Sequence, residues 1–296
     1  MNIDQLLELA KTKKQTIAVA HATDASLFAA CKEAADRGGC SFHFFGPMET
    51  MLEEASKADV TRQDNFEFHA CTTDKESASE AVRFVSAGRA GVLMKGMLST
   101  SLLLKAVLNK EAGLRTGRVL SHVAGFRFPE REKLLYLTDA AMNIAPSLKE
   151  KVQILENAVH AVSRIGVTTP KVAALAAVEH VNEAMPATLD AASLTMMNKR
   201  GQLTGCVVDG PLAFDIAVSE EAAKQKKVES DVAGKADILL APSIEVGNSL
   251  YKSFTIFGSA TVGGMIVGAR APIILTSRAD SKESKLFSIA LAVNAS

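Results

Sequence analysis

The chain has 296 residues, 48% hydrophobic, 22% charged and 5% aromatic, with no Trp. At roughly 150 residues per domain that is enough for about two domains, each with a sizeable core. Lys plus Arg and Asp plus Glu both number 33, which excludes the basic excess of a general nucleic-acid binder but leaves room for a local cationic pocket.

Along the chain, short apolar runs alternate with helical patterns. Strands are expected at 16–20, 41–45, 66–71 and 91–94, with helices at 24–37, 75–87 and 99–108. Further strands are expected at 134–137, 172–177, 206–208, 238–240 and 273–275. Strand then helix, repeated, predicts α/β architecture with largely parallel sheets covered on both faces. After Pro146, apolar residues fall at Leu148, Val152, Leu155, Val159, Val162 and Ile165. Steps of three and four put all six on one helix face, with Pro146 in the first turn and Gly166 just past the end. Such a helix in mid-chain is expected to lead from one domain to the next, the two packing closely around a cleft. The expected domains are 1–140 with 275–296, and 141–274.

The cysteines, Cys31, Cys40, Cys71 and Cys206, are scattered without a CxxC pair, which fits a reduced, cytoplasmic protein better than a disulfide scaffold. The N-terminal stretch has no signal-length apolar run, and no segment approaches the roughly 18 apolar residues of a membrane helix, so no membrane association is expected.

Four segments can carry chemistry. Lys95-Gly96-Met97-Leu98-Ser99-Thr100-Ser101 joins an apolar strand to a helix; unpaired N–H groups and hydroxyls at a helix start can bind phosphate, and Lys95 adds a charge. A cap at Ser99 or Thr100 with a solvated Lys95 explains the same residues. Asp139 and Asn143 follow the run Tyr136-Leu137-Thr138, at a strand end of the kind that faces ligands in α/β proteins, although an Asx turn accounts for Asn143 equally well. Val207-Val208 feeds Asp209-Gly210-Pro211, with Asp215 beyond; this reads as a strand-end loop, and Gly-Pro is also ordinary turn punctuation. Most informative is Ile273-Ile274-Leu275-Thr276-Ser277-Arg278, where a strand delivers a hydroxyl and a guanidinium whose planar donor fork matches phosphate oxygens. Asp280 and Glu283 stand three apart before a helix with Leu286, Ile289, Ala290 and Val293 on its buried side. That spacing reads as a capping box with Asp280 as cap, and it leaves Ser277 and Arg278 unexplained.

Other motifs fail. The run from Gly258 to Met265 has Walker-A glycine spacing, but Gly264 and Met265 stand where Lys and Ser/Thr are required. No GxGxxG, HExxH or GxSxG is present, and the six histidines read as isolated surface or core residues.

In order, KESASEAVRFVSAGRAGVLMKG, LTDAAMNIAP, VVDGPLAFDIAVS, LLAPSIEVGNSLYKS and APIILTSRADSKESKLFSIALA resemble the phosphate acetyl/butyryl transferase family, the phosphotransacylases. The shorter length and the LTSRADSKESKLFSIALA ending are more similar to its butyryl branch. The resemblance implies two α/β/α domains with an interdomain cleft, like isocitrate and isopropylmalate dehydrogenases. It implies the reversible reaction acyl-CoA + phosphate = acyl phosphate + CoA on a short-chain acyl group, butyryl by that ending, with acetyl as the alternative. Coenzyme A is then a substrate, with no bound cofactor and no metal, and the chain is expected to form a homo-oligomer, a dimer or larger.

By the same resemblance, Ser277 would hydrogen-bond the CoA sulfur and Arg278 would hold the phosphoryl group. Substrate contacts are expected from Lys95, Gly96, Ser99, Thr100, Ser101, Asp139, Asn143, Asp209, Gly210, Pro211, Asp215, Gly247, Asn248 and Lys252. Two departures stand out. Ser284 occupies the position of an Asp that the acetyl branch uses as base, leaving Asp280 or Glu283, or no base at all. An Arg that follows the Asn-x-x-Tyr-Lys segment there has no counterpart around Thr255-Ile256. Two other readings differ in class: a metal-dependent hydroxy-acid dehydrogenase, which needs convergent carboxylates such as Asp139, Asp209 and Asp215, and a non-catalytic binder of CoA or acyl phosphate.

Overall fold

A computed structural model describes residues 3–61, 65–275 and 280–296. In chain order its elements begin α1 Ile3–Lys13, β1 Thr16–Ala20, α2 Ala25–Gly38, β2 Ser41–Gly46, α3 Met48–Lys57, β3 Phe66–Ala70, α4 Asp74–Ser86, β4 Val92–Lys95 and α5 Thr100–Val107. They continue β5 Ser121–Arg127, β6 Leu135–Thr138, α6 Leu148–Ile165, β7 Lys171–Leu175, α7 Pro186–Lys199, β8 Val207–Leu212, α8 Phe214–Val218 and α9 Glu220–Gln225. The last are β9 Ile238–Leu240, α10 Ile244–Ile256, β10 Thr261–Val267, β11 Ile273–Leu275 and α11 Lys282–Ala295. None of the described helices is long and apolar enough to cross a membrane.

The chain divides into two compact units, Met1–Arg118 with Thr261–Ser296, and Val119–Ala260. The cuts differ from the expected ones: residues 119–140, with β5 and β6, fall in the second unit, and 261–274, with β10, in the first. Helix α6 lies wholly inside the second unit and does not lead between them. Pro146 precedes that helix; Ser147 is its N-cap, in a reciprocal capping box with Glu150, and Gly166 ends it in a left-handed conformation.

In the first unit the strand order is β3-β2-β1-β4-β11-β10. All neighbours are parallel except β10 with β11. In the second the order is β5-β6-β9-β7-β8, with only β5–β6 antiparallel. The α/β class holds, but the strands of each unit are mixed in direction, one antiparallel pair standing among parallel ones.

Runs such as TIAVA in β1 and ILL in β9 are buried along almost their whole length, as strands covered on both faces must be. Burying each Val, Leu, Ile or Phe contributes about 1.5–3 kcal/mol. Helix α11 goes further than expected: every residue from Lys285 to Ala295 is buried, not one face alone. It packs on β10, α2 and α1, and an all-round apolar helix belongs in a core.

Candidate active site

Parallel strands joined by helices turn all their carboxyl-end loops to one edge of a sheet. In the first unit β4 lies between β1 and β11, and Lys95 pairs with both Ala20 and Leu275. Three strands therefore end level with one another. The β4 loop is held there by backbone bonds, Gly96 N–H donating to Ala20 O at 2.8 Å and Met97 N–H to His21 O at 2.8 Å. Only glycine fits at 96: a Cβ would lie 2.3 Å from His21 O and 2.6 Å from Ala20 O.

Lys95 is half-buried, not free in solvent. Its ammonium donates to Gly96 O at 3.1 Å and Leu98 O at 3.2 Å, which holds a positive charge over the loop. Ser99 caps α5, its hydroxyl accepting from Leu102 N–H at 3.2 Å, while Thr100 and Ser101 are exposed in the first turn. His21, at the same edge with φ 59°, sits 3.3 Å from the Ser77 hydroxyl through Nδ1. No motif pointed to this histidine; its position straight after β1 is the signal that marks it.

Ser277 and Arg278 lie outside the described residues. Before them Leu275 is paired with Lys95, and after them comes Asp280. The cap of α11 is Ser281, whose hydroxyl accepts from Ser284 N–H at 3.1 Å, and not Asp280. The shift by one residue follows from the helix starting at Lys282. It leaves Asp280 before the cap and Glu283 exposed in the first turn. Lys285, which no motif singled out, is 2% exposed; its ammonium donates to Ser26 Oγ at 2.6 Å and lies 3.9 Å from Asp24, the N-cap of α2. A cation heading an apolar helix is costly unless paired, and here the pairing ties α11 to α2.

In the second unit the loop after β6 is built on Asp139, 3% exposed. One carboxylate oxygen accepts from Ala141 N–H at 2.8 Å and Met142 N–H at 3.0 Å; the other accepts from the Asn143 amide at 2.5 Å. Asp139 thus makes the Asx turn, and Asn143 braces it while also donating to Leu120 O at 2.9 Å. Gly247 of α10 lies against this loop, since a Cβ there would come 2.2 Å from Asp139 O. Asn248 donates to Ala140 O at 3.4 Å. Asp139, Asn143, Gly247 and Asn248 therefore come together, while Lys252, further along α10, is exposed with its ammonium 5.6 Å from the Tyr251 ring centre.

The Asp209-Gly210-Pro211 segment is not a strand-end turn. It lies within β8, which continues to Leu212 past a register shift opposite Ala173 and Leu175. Asp209 accepts from Gly210 N–H, and Thr195 donates to Gly210 O at 3.0 Å. Asp215 is exposed on α8, 3.8 Å from Lys226. Asp139, Asp209 and Asp215 do not form a metal-ligating group; among the described residues the one such group is His43, Glu67 and His69. This removes the geometric basis for the dehydrogenase reading.

Cysteine chemistry is also disfavoured. All four thiols are free and buried. Burial pushes Cys40 up to about 12 and Cys206 up to about 11, and raises Cys31 and Cys71 as well, so the nucleophilic thiolate is suppressed. A cleft of about 510 Å³ in the first unit, lined by Lys14, Thr16, Arg89, Gly91, Arg270 and Pro272 among others, lies at the opposite, amino ends of β1, β4 and β11. It contains none of the expected site residues.

His122, on β5 near Asp139, is 8% exposed, and its Nδ1 has no hydrogen-bond partner. Burial lowers its pKa from 6.5 against the opposing pull of Asp139, and burial likewise lowers that of His21 against Asp74. The unfolded chain then takes up protons below about pH 6.5 that the folded chain refuses, so stability is full above that pH and is lost as pH falls. The loss reaches at most about 1.4 kcal/mol per pH unit for each histidine. Urea midpoints at about pH 7.5 and about pH 5.5 test this: the midpoint is expected to fall in acid, and to fall less in His122→Leu. Equal midpoints would contradict it.

With this geometry in view, comparison with known proteins is decisive. Residues 62–293 match the family model described as phosphate acetyl/butaryl transferase. The chain belongs to this family. It is accordingly an acyltransferase enzyme acting between acyl-CoA and phosphate. It is 55% identical to a probable phosphate butyryltransferase of Bacillus subtilis, across 96% of this chain and 94% of the relative. It is 47% identical to the phosphate butyryltransferase of Clostridium acetobutylicum, across 98% and 97%. Among solved structures it is similar to a branched-chain phosphotransacylase from Enterococcus faecalis, with TM-score 0.84 and 36% identity over 95% of this chain and 98% of that one.

Proposed function

We propose that this acyltransferase prefers butyryl among short-chain acyl groups, and that its chemistry takes place at the carboxyl edge of β4 and β11. The observation that carries the assignment is the register: Lys95, at the head of the phosphate-binding type of loop, pairs with Leu275, two residues before Ser277. The names of the relatives at 55% and 47% identity support the butyryl preference.

In one direction the CoA thiolate attacks the acyl carbonyl of acyl phosphate; the new C–S bond forms, the C–O bond to phosphate breaks, and phosphate leaves. In reverse, a phosphate oxygen attacks the thioester carbonyl and expels the thiolate. A free thiol has a pKa of about 8.5, so a donor at sulfur raises its ionised fraction near neutrality. Ser277 supplies that donor. Arg278 binds phosphate with its donor fork and stabilises the oxyanion that forms at the carbonyl, an effect typically worth about 3 kcal/mol per donor. Lys95, Gly96 and the Ser99-Thr100-Ser101 turn receive phosphate oxygens. Asp280 and Glu283 are the candidate bases for the thiol proton.

In the second unit Asn143, Asn248 and Lys252 are assigned to substrate binding, with Asp139 and Gly247 holding them in place; Asp209, Gly210, Pro211 and Asp215 are assigned as outlying contacts. Coenzyme A enters as substrate and the reaction as written requires no bound cofactor. We assign the enzyme to the cytoplasm, in keeping with its four free thiols. We also assign it a homo-oligomeric state, supported by Ile256 and Phe257, 67% and 87% exposed at the end of α10.

The test mixes purified protein, phosphate and butyryl-, isobutyryl-, propionyl- or acetyl-CoA and follows free thiol. Butyryl-CoA is expected to exceed acetyl-CoA in kcat/KM by about tenfold or more, since each methylene in an apolar pocket is worth about 1–3 kcal/mol. Equal rates would remove the chain preference, and no release with any thioester would remove the activity.

A further inference from the structure

The histidines, read singly, look isolated, yet the fold pairs two of them. On β2 and β3, residues alternate between faces: Phe42, Phe44, Phe66 and Phe68 share one face, and His43, Phe45, Glu67 and His69 the other. His43 stands opposite Glu67 in the register and Phe45 opposite His69. As a result His43 Nδ1 lies 2.9 Å from His69 Nε2 and 3.5 Å from a Glu67 carboxylate oxygen. The three ligand atoms all fall within 4.8 Å of one another.

We propose that His43, Glu67 and His69 form a binding site for a divalent transition-metal ion of the Zn²⁺ class, clamping edge strand β3 to β2. Two imidazoles and a carboxylate are a recurrent donor set for Zn²⁺, which leaves a fourth position to water. Two nitrogens bound to one tetrahedral ion at about 2.0 Å stand about 3.3 Å apart, so the ion replaces the His43–His69 hydrogen bond with a slight opening of that gap, and the 3.5 Å between His43 and Glu67 already suits. The rings are also pre-set: Phe84 lies 4.3 Å from the His43 ring and Phe45 lies 4.5 Å from the His69 ring, centre to centre. Side chains held by packing lose little freedom on ligation. The site is separate from the acyl-transfer chemistry, because β1 and β2 stand between β3 and β4 in the sheet. Its role is to stabilise the folded chain, since an ion bound only by the folded state shifts unfolding by mass action.

The experiment titrates the metal-stripped full-length protein with Zn²⁺ against a chromogenic chelator and repeats the titration with Co²⁺, reading the visible bands of a tetrahedral ion. One Zn²⁺ per chain and a rise in melting temperature are expected. His69→Gln and His43→Gln should each weaken binding by about tenfold or more, at least the loss seen when an outer-shell partner of a metal ligand is removed. Glu67 is exposed, so Glu67→Gln should fold normally and still weaken binding severalfold. The surface variant His180→Gln should bind as the parent does. Thiol release should be the same with and without chelator. Absence of Zn²⁺ binding in the parent, or binding that survives all three ligand substitutions, would overturn the proposal.

Discussion

Arg278→Ala is expected to lower kcat/KM for butyryl-CoA and phosphate by about 10²–10³-fold, the loss that follows removal of one donor to a developing oxyanion. The physical reason is that charge on the acyl oxygen and on phosphate changes along the reaction, and a guanidinium placed beside both, as proposed for Arg278, would stabilise the transition state more than either ground state. Arg278→Lys keeps the charge but loses the planar fork, so it should recover only part of the rate. The split between parameters is informative. A residue that only gathers phosphate raises KM for phosphate, whereas a residue that meets the transition state lowers kcat. Steady-state kinetics with phosphate varied at saturating butyryl-CoA distinguish the two. A rate within about threefold of the parent would mean that Arg278 is not part of the oxyanion machinery.

Gly96→Ala should produce the second large effect, without removing any functional group. The added methyl would meet His21 O at 2.3 Å and Ala20 O at 2.6 Å. Both are backbone atoms, and Ala20 belongs to a strand flanked on both sides. The β4 loop must therefore move, breaking the Gly96-to-Ala20 and Met97-to-His21 bonds. Overpacking of this kind costs about 3 kcal/mol of stability, and a displacement of about 1 Å in a positioning loop costs about 100-fold in turnover. Thermal melts and thiol release on the same preparation check both. A variant that melts and turns over like the parent would show that the loop tolerates displacement and does not position the phosphate.

Much of the fold was legible from pattern alone. TIAVA, ILL and IIL became β1, β9 and β11 with the expected bounds, because an unbroken apolar run has few other ways to be buried. The spacing from Leu148 to Ile165 likewise became α6. Strands β5 and β10 escaped notice. SHVAGFR and TVGGMIV carry glycines in mid-strand, which weaken the local preference and blur the alternation. Burial along almost their whole length holds these strands instead, and in β10 the Gly264 N–H is satisfied by Ser288 Oγ of α11 at 3.0 Å.

Lys95 and Asp139 could be placed at strand ends because a polar residue closing an apolar run stands there. What Asp139 does there could not: its two oxygens are occupied by three donors of its own loop, a fact of folded geometry. The same limit hid the reasons for glycine at 96 and 247, which lie in backbone oxygens distant in sequence. It also hid the contact between His43 and His69, 26 residues apart and joined only through strand register.

The discontinuous first unit carries a consequence for biosynthesis. When the ribosome has made everything up to Ala260, the second unit is complete, but β4 still lacks β11, the partner that covers its edge. The helix that fills the space against β10, α2 and α1 follows β11 in the chain and is made later still. Until β11 has been made the nascent chain presents a bare apolar strand, a natural target for holdase chaperones, and the Lys95 loop lacks its β11 neighbour.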